Sequence, residues 1–470
     1  MCHRWRRAFL QYAPLWSQLY LTWKTNQDLL ATLLERVKQS PLDVTLDYSG
    51  SPLHGVALLS PFAQQIRSIT LGTASRGDIE DLSAAVPGSL PLLHTLGIQD
   101  SRYDADRFAR PPLFEGAVNL KKFVLQTPNP SSLSHYAFPN LTTFHFWIWG
   151  ASKVLSVSLL LNFLEASPSL EEIDMDISKT ISYEGVPLHK VLVLPRVKDF
   201  CLDITSDSFS WELAAHLSCP SAERAGFVCR LPSIHLNNSI PEDIYPPPLP
   251  WRAIVRQYTT GTVGRVEIEL KLDKEITGSV IFWSSSEVAL DLYYDHPIKI
   301  GGATDTELEE KIGTDIFSQA CRTVLDHPLL SNVRGLYIIG GGLLAGNLDL
   351  AANDVGKLLG SMGPLEELVL DGCDMRPYLD TFFETPLFPE PTQPTSFPPI
   401  KKFAIIDPIQ SLSDNEAYAA AVVELAKSQH SRGIPFEVVT LRPPAPDWVV
   451  VELLLLVNTV DCYEVVTSST

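Results

Sequence analysis

Gly340-Gly341-Gly342-Leu343-Leu344-Ala345 is the stretch of this 470-residue chain whose spacing comes nearest to a chemical motif. It follows an apolar, strand-like run and satisfies G-x-G-x-x-A, in which glycines let a pyrophosphate approach a helix N-terminus. The acid that would hold a ribose, Asp371, falls 26 residues beyond Ala345, later than that site requires. Glycine after a strand is also ordinary turn chemistry. Asp295-His296 and Asp326-His327 each precede proline; a carboxylate beside an imidazole could orient it, but sequence neighbours seldom face one point, and both pairs read as element ends. No H-E-x-x-H, P-loop, G-x-S-x-G or Cys/His cluster of ligand spacing occurs. No catalytic, cofactor-binding or metal-ligating residue is therefore assigned, and the expectation is a chain that is not an enzyme.

What would position any site is a recurring cassette: apolar, two variable residues, apolar, one variable, apolar. It reads Ile66-Ile69-Leu71, Leu93-Leu96-Ile98, Leu120-Phe123-Leu125, Leu141-Phe144-Phe146, Leu170-Ile173-Met175 and Val197-Phe200-Leu202, with starts 27, 27, 21, 29 and 27 residues apart. Later copies are Val263-Val266-Ile268, Val333-Leu336-Ile338, Leu365-Leu368-Leu370, Ile400-Phe403-Ile405 and Phe436-Val439-Leu441. Proline stands one or two places ahead of seven of them: Pro91, Pro139, Pro168, Pro195, Pro364, Pro399 and Pro435. Proline ends a helix and is tolerated where a strand begins. Helical stretches such as Leu159, Leu160, Phe163 and Leu164 lie between copies. Helix, proline, strand, repeated, is the plan of a leucine-rich-repeat-like solenoid of alternating helices and parallel strands, an α/β architecture. A flat α/β sheet is the other way to use the pattern.

The expected division is 1–40, a helical leading segment; 41–205, a first solenoid part; 206–330, an irregular middle; and 331–470, a second solenoid part with a terminal cap. In the middle the spacing fails, and the strand-like runs Val280 to Trp283 and Val288 to Tyr294 fit no unit. Thr304 to Glu307 makes a capping box, and the proline-rich Pro386 to Pro399 reads as a surface loop.

Formal net charge is −19; residues 1–40 hold six Lys/Arg against two Asp/Glu, so they carry +4 and the remainder −23. Such an excess argues against a nucleic-acid ligand, which needs clustered positive charge. Seven cysteines without framework spacing suit reduced thiols of the cytoplasm or nucleus. The most apolar run, Val449 to Val460, is twelve residues with Glu452 and Asn458 inside it. It is too short to span a bilayer and reads as a buried terminal element, so no membrane partner is expected.

Cys2-His3-Arg4-Trp5 followed by Pro14-Leu15-Trp16 resembles the second half of an F-box, with Cys2, Trp5, Pro14, Leu15 and Trp16 matching its pattern. Leu33 to Leu42 is similar to the stretch joining F-box to leucine-rich repeats in mushroom-type fungal proteins. The resemblance implies a substrate-recognition subunit of an SCF-type ubiquitin ligase. Its leading Leu-Pro-x-Glu-like helix has no counterpart here, so docking to the adaptor subunit is expected only if the motif is completed upstream. An orphan leucine-rich-repeat scaffold is the second reading, and a nucleotide-dependent α/β enzyme, using the glycine run, the third.

A protein ligand would then sit on the repeat surface. Strand side chains alternate faces, so Thr143, His145 and Trp147, then Glu172, Asp174 and Asp176, then Asp199 and Asp203, should share one concave face. The expected ligand is a basic segment with an apolar anchor for an exposed Trp147.

Overall fold

The computed structural model describes residues 10–22, 24–47, 56–74, 84–86, 90–100, 117–127, 136–148, 154–177, 181–182, 191–205, 212–230, 234–236, 265–272, 276–284, 287–296, 298–300, 320–322, 324–325, 333–340, 357–358, 365–371, 400–406, 415–431, 435–441 and 446–462, with 3, 82, 133 and 433 singly. The chain forms two compact units, Met1–Ala222 and Glu223–Thr470.

In the first unit eight strands pair in parallel and in chain order: β1 (Gln18–Thr22), β2 (Leu42–Asp47), β3 (Ile66–Ala74), β4 (Thr95–Asp100), β5 (Lys122–Thr127), β6 (Thr143–Ile148), β7 (Glu172–Ile177) and β8 (Asp199–Thr205). Apolar and polar residues alternate along each, so one face is buried. Register runs the rows Leu19–Val44–Ile69–Leu96–Phe123–Phe144–Ile173–Phe200 and Leu21–Leu46–Leu71–Ile98–Leu125–Phe146–Met175–Leu202 across the sheet, every member buried. At the centre Phe144 meets Phe123, Phe146 and Phe163 at centroid distances of 6.0, 5.6 and 4.6 Å.

The prolines do a different job from the one their position suggests. Leu93 N donates to Leu90 O at 3.1 Å, Leu141 N to Phe138 O at 3.1 Å, Leu170 N to Ser167 O at 3.3 Å and Val197 N to Leu194 O at 3.4 Å. Each bond closes a four-residue turn whose second residue is Pro91, Pro139, Pro168 or Pro195, the position where a φ near −65° is already required. Neighbouring turns are tied by side chains: Asn119 Nδ2 donates to Pro91 O at 2.7 Å and Asn140 Nδ2 to Val118 O at 2.8 Å. Shared carbonyls then set the register, as when Lys121 and Lys122 both donate to His94 O at 2.9 Å.

The second unit contains β9 (Arg224–Arg230), β10 (Arg265–Leu272), β11 (Ile276–Ser284), β12 (Glu287–His296), β13 (Gly335–Gly340), β14 (Glu367–Asp371), β15 (Lys402–Ile406), β16 (Val438–Leu441) and β17 (Thr459–Cys462). From β13 to β17 consecutive strands pair in parallel. β10, β11 and β12 form an antiparallel meander, with β9 parallel to β12 and β13 parallel to β10. Ser285-Ser286 alone separates β11 from β12, and a connection that short can join only antiparallel strands. Asp295-His296 closes β12 beside Thr277 and Ile276.

Helices are few among the described residues: α1 (Gln27–Val37), α2 (Val157–Glu165), the one-turn α3 (Glu212–Ala215), α4 (Asn415–Ser431) and α5 (Asp447–Leu454), with two 3-10 segments. The leucine-rich-repeat solenoid of alternating helices and parallel strands is therefore not the fold. These are open sheets, the second mixed in direction, and among the described residues helices accompany only some strands. The cassette reports where an apolar strand face falls, which any buried parallel sheet requires, and it says nothing of curvature.

The F-box resemblance is overturned with it. Ala13–Trp16 is a single 3-10 segment and leads directly into β1, a sheet strand, where the resemblance needs helices. Gln18-Leu19-Tyr20-Leu21-Thr22 alternates with period two, and that pattern governs this segment. Leu15 is exposed, and Trp16 lies under the Arg36 guanidinium, 4.9 Å from its ring centroid. Cys2, Trp5, Gly341 to Ala345, Thr304 to Glu307, Asp326-His327 and Pro386 to Pro399 lie outside the described residues. No helix among the described residues is long and apolar enough to cross a membrane.

Candidate functional site

The polar face of the first sheet carries the residues expected to share a surface, and register brings them into three rows. Thr143, Glu172 and Asp199 are direct cross-strand neighbours; so are His145, Asp174 and Cys201; so are Trp147, Asp176 and Asp203. Rows lie about 6.6 Å apart along a strand and strands about 4.8 Å apart. Five carboxylates thus crowd two adjacent strands.

His145 is the anchored member. Its Nε2 lies 3.0 Å from Glu172 Oε1, and Thr143 Oγ1 donates to Glu172 Oε2 at 3.3 Å. The imidazole is only 15% exposed while Glu172 is 46% exposed. Trp147 and the imidazole meet edge to face, with centroids 5.6 Å apart and planes at 67°. It is half-buried where the sequence pattern expects an exposed ring, with Gln126 and Asp176 as its cross-strand neighbours.

Asp174 sits between His145 and Cys201, half-buried, with no hydrogen-bond or ion partner among the described residues. Glu172 opposite Asp199, and Asp176 opposite Asp203, place like charges in register, an arrangement unfavourable in a sheet unless other groups offset it. The carboxylates of β2 on the same face are differently placed. Asp43 receives both forks of the Arg67 guanidinium, and Asp47 accepts from Tyr20 Oη at 2.9 Å and Thr73 Oγ1 at 3.3 Å. That bond to Asp47 and its charge push the Tyr20 phenol upward.

The alternation that marked the acids also marks Cys201, which lies between Asp199 and Asp203 at the same parity, and Lys122, Val124 and Gln126 on β5. Reading acids alone misses them. Cys201 is in no disulfide and is half-exposed, whereas burial pushes the Cys219 thiol up to about 12. Among the described residues no group of three or more His, Cys, Asp or Glu side chains could hold a metal ion.

The partners attached to the repeat reading fall with it: neither a protein seated on a repeat surface nor an SCF adaptor docked by a completed F-box has the architecture it needs. No family model matches this chain, and no curated protein is similar enough to it to be counted a relative.

Proposed function

We propose that this chain is a binding protein and not an enzyme, and that β6, β7 and β8 of the first unit seat a cationic ligand carrying an apolar group. The observation that supports the reading is Asp174: a half-buried carboxylate without a partner among the described residues, in register beside His145 and one row from Trp147. A half-buried charge loses hydration and is stabilised only when a counter-charge arrives. Trp147 offers an apolar ring and a π-face to whatever carries that charge. Cys201, Cys219 and Cys321 are in no disulfide, which suits a reducing compartment, the cytoplasm or nucleus.

The test is fluorescence anisotropy with short labelled peptides: lysines around one tryptophan, the same lysines without the aromatic residue, and a glutamate version. The aromatic lysine peptide should bind, with affinity falling as salt rises. Asp174→Lys should raise its Kd by about tenfold or more, equivalent to about 1.4 kcal/mol. Trp147→Ala should remove the preference for the aromatic peptide. Equal binding of lysine and glutamate peptides, or no response to either substitution, would remove this face from consideration.

A further inference from the structure

The last helix of the second unit departs from the expected buried terminal element. In α5 and the turn after it, Val449, Leu453 and Val457 are buried at intervals of four. Trp448, Val451, Leu454 and Leu455 stand 42, 61, 55 and 77% exposed. Four large apolar side chains at such exposures make a patch of several hundred Å², the size that marks an interaction surface.

The sheet beside it ends in the same condition. Register carries the core row Leu336–Leu368–Phe403–Val439–Val460 to its final member. Leu336, Leu368, Phe403 and Val439 are 0–1% exposed, whereas Val460 is only half-buried. β17 pairs with β16 alone among the described residues. An apolar helix face and a strand edge without a partner among the described residues thus lie at one end of one unit.

We propose that a second copy of this chain covers this end, β17 running antiparallel to β17 of the other copy and α5 packing on its counterpart across a two-fold axis. A strand edge is satisfied by another strand edge, and under two-fold symmetry the same operation lays one apolar helix on its equivalent. The exposed side chains supply on the order of half of the ~800 Å² each partner contributes to a standard interface, and strand pairing adds the remainder. Charge favours a weak dimer. Asp447 and Asp461 are exposed, and Lys427 is already held between Glu424 and Glu452, each at 2.9 Å. Two such ends repel, and salt should strengthen their association by screening.

Sedimentation of the 470-residue chain from about 1 to about 200 μM, at low and high salt, tests this across the range of a weak Kd. The expected result is a concentration-dependent rise toward twice the chain mass, larger at high salt, with amide exchange slowing in step at Val460 and Cys462, whose N–H groups face away from β16, since Thr459 N already donates to Glu437 O on the other side. Val451→Lys and Leu455→Glu should each raise the dimer Kd at least tenfold while circular dichroism and thermal midpoint stay unchanged, as their exposure predicts. A monomer at every concentration and salt, or variants that dimerise as well as the parent, would overturn the proposal.

Discussion

The two units use one strand cassette and leave opposite surfaces behind. In the first, eight parallel strands bury both apolar rows completely, and what remains outside is charge: Glu172, Asp174, Asp176, Asp199 and Asp203 on two strands. In the second, the core rows run out at Val460, and the outer surface of α5 is apolar. The cassette therefore fixes which residues are inside and leaves the character of the outside free. The difference has a simple experimental signature: salt should weaken ligand binding at the first surface and strengthen association at the second.

The largest effect expected from breaking this comparison lies in the cores. Phe144→Ala removes a ring packed among Phe123, Phe146 and Phe163 and should cost about 3–5 kcal/mol. Phe403 stacks on Phe436 at 5.5 Å. With one aromatic partner described against three, Phe403→Ala should cost less, by about 1–2 kcal/mol. Denaturant unfolding of both variants decides it; equal losses would mean that the aromatic cluster adds nothing beyond buried area.

How far the sequence discloses this can be judged residue by residue. Leu170, Ile173 and Met175 are buried, and Ile173 and Met175 are in parallel register with their neighbours, as the period-two pattern of the strand requires. Strand burial follows from alternation, a local property. The solenoid did not follow, because curvature and helix content depend on the connections, and there the cassette is silent. Ser285-Ser286 between two long strand-like runs was legible as a hairpin signal, and it is enough to break a uniformly parallel sheet. In the candidate site, the shared face of Thr143, Glu172 and Asp199 was legible by parity. The bond from His145 to Glu172, on the adjacent strand and one row away, was not, because it depends on rotamers.

The second effect concerns alkaline stability, and it should belong to the first unit. Burial raises the Cys219 thiol to about 12 from its ordinary 9.0. The folded thiol thus stays neutral while the unfolded one ionises from about pH 9. The unfolded state then binds fewer protons, and stability falls as pH rises, at up to about 1.4 kcal/mol per pH unit until the folded thiol titrates. Tyr20 is raised too, by Asp47, and acts in the same sense above its own ordinary 10.0. Comparing Cys219→Ala with the parent between pH 8 and pH 10 isolates the thiol. The variant should lose less stability over that interval; parallel curves would show that Cys219 is not the responsible group.

A smaller difference separates the helices of the two units. Asn26 caps α1, its side chain accepting from Asp28 N at 2.8 Å and Leu29 N at 3.3 Å. The equivalent position of α5 is Pro446, which makes no side-chain cap bond. Asn26→Ala should cost about 1 kcal/mol. Pro446→Ala removes no such bond and should cost less. If the two substitutions cost the same in thermal unfolding, the cap contributes nothing beyond backbone preference.

The smallest effect tests why the charged face of the first sheet has a bare middle. Gly72 and Gly97 sit on β3 and β4, between the tied carboxylates of β2 and the crowded ones of β7 and β8. A Cβ at Gly72 would meet Leu46 O at 3.6 Å, an ordinary contact, so Gly72→Ala should stabilise by about 0.4–1 kcal/mol through the unfolded chain. A Cβ at Gly97 would stand 3.3 Å from Thr70 Cγ2, tighter than side chains normally tolerate. The same entropic gain is then offset by the shift Thr70 must make, and Gly97→Ala should fall near zero. Thr70→Ser deletes the opposing methyl group, and in that background Gly97→Ala should recover the gain seen at Gly72. A coupling below about 0.3 kcal/mol in this double-mutant cycle would show that Thr70 does not determine the glycine. Gly97 would then be better explained by an approach made to the face from outside the chain.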